Sequence, residues 1–335
     1  MGASRARPGP GPASRARFGG PGVPRASWHY LGVQAPPPRP RARAAAVTLA
    51  CGLALGVVGV AIALALASGQ RAPARSPVLR AARAEGALSS TQSISSDWSG
   101  YVVTAPGVTY TSATATWTQP AVFCSVAGAG AGAESAFWVG LGGYDPNSQS
   151  LEQIGSDSDC NRAGRPEYYA WYELVPAAAV PLGLRIEPGN TVTVSVNAID
   201  GGTTIELQII NRTLGVRVTK LLPFAAADLS SAEWITEAPS ECAGVSCRTQ
   251  PLADFGSVSF SRVAARGNGL GGTITDPSWT ADEIELQPGS ASRDYFPGRV
   301  RSGGSPHSSA GATPVVLSAS GTAFSIDWVA DAPAA

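Results

Sequence analysis

The chain has 335 residues with 24 basic and 24 acidic side chains, and these charges are distributed unevenly along it. Residues 1–90 hold 12 Arg and one acid, whereas residues 91–335 hold 12 basic and 23 acidic side chains, a net charge of −11. An acidic region of this kind cannot neutralise phosphates, so we expect no nucleic-acid partner.

The N-terminal region is predicted to consist of a tail, an apolar segment and a linker. Residues 1–43 are rich in Gly, Pro, Ala and Arg, a composition that favours disorder. Residues 44–68 are predicted to be one transmembrane helix, because about 20 apolar residues span a bilayer core and residues 44–67 carry no charge. Residues 69–92 resemble a linker, and the remaining domain is predicted to cover residues 93–330.

The apolar segment is compatible with two locations of the domain that follows it. Arg39, Arg41 and Arg43 precede it, which favours a cytoplasmic N-terminus, a single membrane pass and a domain outside the cell. Alternatively, Ala65-Leu66-Ala67 matches an A-x-A signal-peptidase site, and the domain would be secreted after cleavage near Ala67.

Beyond residue 93 the apolar pattern has a period of two. Val192, Val194 and Val196 alternate with Thr and Ser, and similar alternations recur between Gly-rich turns up to Trp328. No amphipathic helix is evident. Many short strands separated by Gly-rich turns predict an all-β sandwich or barrel.

The four cysteines of this domain are predicted to form two disulfides, since an even number beyond an export segment is typical of an oxidising compartment. Sequence proximity pairs Cys124 with Cys160, and Cys242 with Cys247. No Cys-x-x-Cys pair exists and the domain contains only His307, so we predict no metal site. His307 lies in a Gly- and Ser-rich stretch without a nucleophile motif, which argues against a serine hydrolase.

Three strand-like segments combine aromatic and acidic or amide side chains, and they are the candidates for chemistry. They are Phe137–Gly140 with Leu151–Gly155, Tyr169–Glu173, and Ala232–Glu237. A carboxylate beside aromatic surface is desolvated, which raises its pKa toward values useful in acid–base catalysis. The residues alone therefore predict a groove lined by aromatic rings and carboxylates.

These segments also resemble those of the glutamic peptidases, or eqolisins, over about residues 94 to 262. The order and spacing match in Asp97-Trp-Ser-Gly-Tyr101, Ala115-Thr-Trp117 through Pro120, Ala136-Phe-Trp-Val-Gly-Leu141, Leu151-Glu-Gln-Ile-Gly155, Ala170-Trp-Tyr-Glu173, Ala232-Glu-Trp-Ile-Thr-Glu237 and Pro251-Leu-Ala-Asp-Phe-Gly256. The resemblance implies a β-sandwich of two curved antiparallel sheets of the concanavalin or lectin-like type.

The resemblance also implies the site. The family's catalytic pair falls on Gln153 and Glu237, and not on Glu233. Cleft residues fall on Trp138, Trp171, Glu173 and Asp157, and a short Cys loop after the catalytic Glu falls on Cys242 and Cys247. The pair is expected on two neighbouring strands, facing the same side and sharing one water.

Three positions depart from the family pattern. Gly142 stands where the family carries an acid, Ile154 stands where a small hydroxylated residue is usual, and Ala238-Pro239 replaces an acid and an aromatic residue. These changes affect the electrostatics and specificity of the cleft, and they leave the pair in place.

The predicted activity is acid endopeptidase action on polypeptides by a monomer without a cofactor. Glu237 would take a proton from a water, and Gln153 would hold that water and stabilise the oxyanion. Two other functions are compatible with the sequence: a lectin-like carbohydrate-binding module, and a glycoside hydrolase that uses Glu237 and Glu173.

Overall fold

The computed structural model describes residues 90–125, 131–243, 246–288, 300–301 and 310–330. Within these ranges the regular structure is β apart from a 3₁₀ turn at Asp200–Gly202. The strands are β1 (Ser90–Ser95), β2 (Trp98–Thr104), β3 (Tyr110–Thr118), β4 (Ala136–Gly142), β5 (Leu151–Cys160), β6 (Pro166–Val175), β7 (Val180–Leu182), β8 (Thr191–Ile199), β9 (Thr204–Asn211), β10 (Val216–Pro223), β11 (Ser231–Glu237), β12 (Ser240–Ala243), β13 (Ser246–Thr249), β14 (Ser257–Gly267), β15 (Leu270–Gly272), β16 (Thr280–Leu286), β17 (Val300–Arg301), β18 (Gly311–Leu317) and β19 (Ala323–Val329).

Hydrogen bonding joins most of these strands into one curved sheet. Its order is β10-β9-β8-β3-β14-β19-β18-β16-β2-β11-β4-β5-β6-β7, with β1 added to β16 and β15 added to β14. The pairings are antiparallel except for the parallel β1–β16 pair, while β12, β13 and β17 form a separate small sheet. The all-β class is confirmed, but the two predicted sheets are two halves of one hydrogen-bonded sheet.

The main core lies between these two halves. Strands β3, β8 and β9 pack against β4, β5 and β11. In β8 the buried residues Val192, Val194 and Val196 alternate with half-buried Thr and Ser, as the period of two predicted. Such alternation arises because successive side chains of a strand point to opposite faces of the sheet.

Four central strands are buried on both faces. Residues of β4, β5 and β11 are buried along their whole length, and those of β2 up to its last residue. One face contributes to the main core, and the other carries a second apolar cluster that includes Trp98, Trp138, Trp171 and Ile235. The acidic and amide residues of the predicted site lie on this second face, which is therefore called the site face.

The predicted N-terminal segments lie outside the described residues, including the transmembrane helix at 44–68. Among the described residues no helix is long and apolar enough to cross a membrane. Strand β1 begins at Ser90, three residues before the predicted start of the domain.

Candidate active site

Strand register brings the six predicted site residues to the site face. Because side chains alternate along a strand, residues paired in one row across the sheet share a face. One row contains Glu237, Ala136 and Asp157, from β11, β4 and β5. The second row lies two residues further along β4, where Trp138 pairs with Gly155 of β5, and Gly155 pairs with Trp171 of β6.

The third row contains Glu233, Gly140, Gln153 and Glu173, from β11, β4, β5 and β6. Gln153 and Glu237 therefore share the predicted face. They do not lie on neighbouring strands, however, because β4 separates β5 from β11. The prediction failed on this point because the partner of a strand in a sheet is decided by long-range packing, which leaves no local mark in the sequence.

Glu237 is held by tryptophans in a buried position. Its side chain is 6% exposed, and its Oε2 accepts a 2.7 Å hydrogen bond from Nε1 of Trp138. Burial raises the pKa of Glu237 well above its usual value, and the negative charges of Asp97 and Glu173 raise it further, while the indole N–H groups of Trp138 and Trp98 oppose the rise. Glu237 is thus a strong base when ionised and retains its proton more tightly than an exposed Glu.

Gln153 is anchored by one end of its carboxamide. Its Nε2 donates a 2.8 Å hydrogen bond to Oε2 of Glu173, the residue paired with it on β6. Its Oε1 is buried and has no hydrogen-bond partner among the described residues. Glu173 also contributes to the raised pKa of Glu237, so its carboxyl group acts on both members of the predicted pair.

A second group of acids lies at one end of the site face. Asp157 accepts a hydrogen bond from Nε1 of Trp171, and Asp159 accepts one of 2.8 Å from the hydroxyl of Tyr169. Burial and the neighbouring Asp159 raise the pKa of Asp157 well above its usual value. Burial likewise raises the pKa of Asp159 to about 6, and that of Glu134 to about 7. Asp159 and Glu134 therefore release their protons at higher pH than exposed carboxyl groups do.

The structure gives a physical reason for two departures from the family pattern. Gly142 has φ +79°, and a Cβ there would lie 2.3 Å from the carbonyl oxygen of Asp228, so no acid fits at this position. Asp228 brings its own carboxylate to the spot and accepts hydrogen bonds from the Gly143 N–H and the Ser148 hydroxyl. Ile154 faces the main core and is fully buried, which explains an apolar residue there.

Some residues around the site had no role assigned from the sequence. Trp98 pairs with Glu237 across β2 and β11, and its ring contacts Trp138 edge-on at 4.9 Å between centroids. The sequence could have indicated a role for Trp98, since this residue belongs to the first motif that resembles the glutamic peptidases. Tyr144, by contrast, gave no signal: it follows β4 and packs on the site face, where its hydroxyl donates a 2.9 Å hydrogen bond to Asp282.

The predicted cysteine pairs differ in outcome. Cys124 and Cys160 form a disulfide, which confirms that pairing. Cys242 and Cys247 are directly opposite in the β12–β13 backbone register, but their side chains lie outside the described part of the structure, so this disulfide stays a prediction. In the described ranges no group of three His, Cys, Asp or Glu side chains is arranged to hold a metal ion.

Comparison with known proteins adds a family and a fold. Residues 96–292 match the model described as the Peptidase A4 family. The crystal structure of scytalido-glutamic peptidase with a transition state analog inhibitor aligns at 24% identity and a TM-score of 0.53, covering 70% of this chain and 98% of that chain. This likeness supports the fold.

Two further solved structures are similar at lower TM-scores. The eqolisin SCP-B in a complex with the tripeptide Ala-Ile-His aligns at 23% identity and a TM-score of 0.47, covering 70% of this chain and 98% of that chain. Aspergilloglutamic peptidase from Aspergillus niger aligns at 24% identity and a TM-score of 0.44, covering 58% of this chain and 99% of that chain. No curated protein matches the chain.

Proposed function

The chain belongs to the Peptidase A4 family and is a glutamic-type peptidase, and on this premise we propose that Glu237 and Gln153 hydrolyse peptide bonds of proteins at acidic pH. The observation that carries the assignment is the position of Glu173. Its carboxylate accepts the hydrogen bond of Gln153 and its charge acts on Glu237, which supports a shared site for the pair. Membership of a peptidase family argues against the two alternatives, a lectin-like carbohydrate-binding module and a glycoside hydrolase.

In the proposed reaction Glu237 moves a proton and Gln153 stabilises charge. The Glu237 carboxylate takes a proton from a water, and that water attacks the carbonyl carbon of the peptide. An N–H of Gln153 donates to the oxyanion that develops, a contribution worth about 2.7–4 kcal/mol for one preorganised donor. Glu237 then returns the proton to the leaving nitrogen, which completes the cleavage without a cofactor.

Acidic conditions suit this site because it concentrates buried carboxyl groups. The acids near the proposed base, Asp157, Asp159 and Glu134, have raised pKa values with burial as the largest cause. Ionisation of several of them at higher pH would place like charges in a buried, low-dielectric region, which costs free energy. The site is therefore compatible with an enzyme that works where most of these groups are protonated.

We also propose the membrane arrangement suggested by the sequence. The apolar segment 44–68 would anchor the chain, with the peptidase domain outside the cell. A disulfide between Cys124 and Cys160 supports an oxidising location for the domain. Protease added to intact cells should remove the domain, and full protection of the domain would contradict this orientation. Release of a shorter domain into the medium would instead indicate cleavage near Ala67.

The direct test is an assay on an acid-denatured protein substrate across pH 2–8. The wild type should cleave internal peptide bonds at acidic pH, and it should do so after treatment with a metal chelator. Absence of cleavage by a folded wild-type domain over the whole range would refute the proposed function.

A further inference from the structure

Glu233 is a buried acid of the site face that the proposed mechanism does not use. Its side chain is fully buried, and neither carboxyl oxygen has a regular hydrogen bond among the described residues. It lies in the same row as Gln153, with only Gly140 of β4 between them. Neighbouring strands lie about 4.8 Å apart, so the two Cα atoms are separated by about 10 Å.

Gly140, the residue between them, has no side chain, and the carboxyl group of Glu233 lies close to it. A Cβ built on Gly140 would lie 3.3 Å from Oε2 of Glu233, so that carboxyl oxygen occupies the space above β4. Gly140 pairs with both Glu233 and Gln153, so this contact lies in the row that joins the two residues. The Trp138 ring and Leu151 lie 2.8 and 3.0 Å from the same point, so a side chain at position 140 would displace these neighbours.

The carboxamide of Gln153 uses its donor group and leaves its acceptor unpaired among the described residues. Its Nε2 donates to Glu173 on the β6 side, which turns Oε1 away from Glu173. Oε1 is buried without a partner, as are both oxygens of Glu233. An ionised carboxylate can only accept hydrogen bonds, so ionised Glu233 could not form one with the carbonyl oxygen of Gln153. A protonated carboxyl group, by contrast, can donate a hydrogen bond to that oxygen. One proton on Glu233 would satisfy both groups.

We infer that Glu233 is a positioning residue for the proposed reaction: as a protonated carboxyl it donates a hydrogen bond to Oε1 of Gln153, directly or through one water. The inference rests on the proposed function. It leaves the second lone pair of Oε1 free for the attacking water. A donor on the oxygen also polarises the amide and strengthens its N–H groups, which serve the oxyanion.

The surroundings of Glu233 keep its proton in place. Burial raises the pKa of Glu233 well above its usual value, the charges of Asp228 and Glu152 raise it further, and the Ser231 hydroxyl opposes the rise. Glu233 in turn contributes to the raised pKa of the Tyr110 hydroxyl. Along its own row the remaining acids are Glu173 and, beyond Val102, Asp282. No basic side chain is among these groups.

Two substitutions separate a donor from a structural filler. Glu233→Gln keeps the shape and carries N–H donors at every pH, so its kcat at acidic pH should stay within about 3-fold of the wild type. Glu233→Met keeps the volume and removes the donor, so kcat should fall roughly 10- to 100-fold with little change in KM. Circular dichroism verifies that each variant is folded.

The pH profile supplies a second measurement. Above its pKa, wild-type Glu233 loses the donor, so kcat should decline, whereas Glu233→Gln should remain active to higher pH. Glu206→Gln is the control, because Glu206 is a half-buried acid of β9 that lies outside the site face. It should leave the kcat profile unchanged at temperatures well below unfolding.

The outcomes distinguish this inference from the proposed function. If Glu233→Met keeps kcat within about 3-fold of the wild type, or Glu233→Gln loses as much as Glu233→Met, the donor role is wrong. A Glu233→Gln profile that moves no further than that of Glu206→Gln would also overturn it, and this comparison decides the question if Glu233→Met does not fold. An inactive wild type, or a fully active Glu237→Gln, would instead refute the proposed function.

Discussion

Nε1 of Trp138 donates a 2.7 Å hydrogen bond to Oε2 of Glu237, although the two residues are 99 positions apart in the chain. This bond opposes the rise in the pKa of Glu237 that burial causes. It therefore favours the carboxylate form, which is the form that can accept a proton from water. Trp138 is fully buried, so it acts as a support of the carboxyl group.

Trp138→Phe should shift the pH dependence of activity. Loss of the indole N–H raises the pKa of Glu237 further, and a general base works only above its pKa, so the acidic limb of the kcat profile should move to higher pH. Trp234→Phe is the control, because Trp234 is equally buried but its N–H donates to the carbonyl of Thr114. Both variants should lose stability, and only Trp138→Phe should move the limb.

Glu237→Gln should abolish peptidase activity without unfolding the domain. The amide keeps the size of the side chain but cannot take the proton, and a general base contributes roughly 10²- to 10⁴-fold to a rate. Steady-state assays at acidic pH measure the loss. Glu206→Gln, on β9 at a half-buried position, should retain full activity. A Glu237→Gln protein with kcat near that of the wild type would assign the chemistry to another residue.

Gln153→Ala should lower kcat by about 10²- to 10³-fold, the effect of losing one oxyanion donor. KM should change less, because the lost interaction strengthens in the transition state. Gln208→Ala on β9 removes an exposed hydrogen bond to Thr219 of β10 and serves as the control. A loss that appears in KM alone would mean that Gln153 binds substrate without stabilising the oxyanion.

Stability should decrease as pH rises. Carboxyl groups with raised folded-state pKa values bind protons more tightly in the folded state, so their stabilisation is complete below the unfolded values and is lost as pH rises toward the folded values. For Glu152 burial is the main cause, and the window runs from 4.5 to about 9. The slope is at most about 1.4 kcal/mol per pH unit for one group.

The predicted loss of stability with rising pH can be measured by thermal unfolding between pH 3 and 9, monitored by circular dichroism. The melting temperature of the wild type should be highest in acid. Glu152→Gln should flatten the decline above pH 5, since the amide does not ionise. A wild-type melting temperature that increases from pH 4 to pH 8 would contradict the raised pKa values.

The disulfide between Cys124 and Cys160 should stabilise the domain without contributing to the reaction. It closes a segment with a sequence separation of 36, and a disulfide of this kind contributes about 2–4 kcal/mol. Replacing both cysteines with Ser should reduce the free energy of unfolding by that amount, measured by urea titration. At a temperature where the variant is folded, kcat should be unchanged. An unaltered urea midpoint would show that the bond adds nothing to stability.

Local pattern in the sequence was sufficient for several features. The alternation of Val192, Val194 and Val196 with Thr and Ser predicted a strand with one buried face, because side-chain direction in a strand depends only on parity. Proximity and an even count of cysteines predicted the bond between Cys124 and Cys160. Parity also predicted that Glu233 and Glu237 share a face, since both lie on one strand.

Strand order and depth of burial were decided by the tertiary structure alone. The insertion of β4 between the strands of Gln153 and Glu237 depends on pairings between segments far apart in the chain, and such pairings leave no periodic signal. The same holds for the Trp138–Glu237 hydrogen bond. The burial of Glu233 beside Gly140 arises only when β2, β11 and β4 assemble, because a carboxyl group loses its water through its neighbours and not through its own sequence.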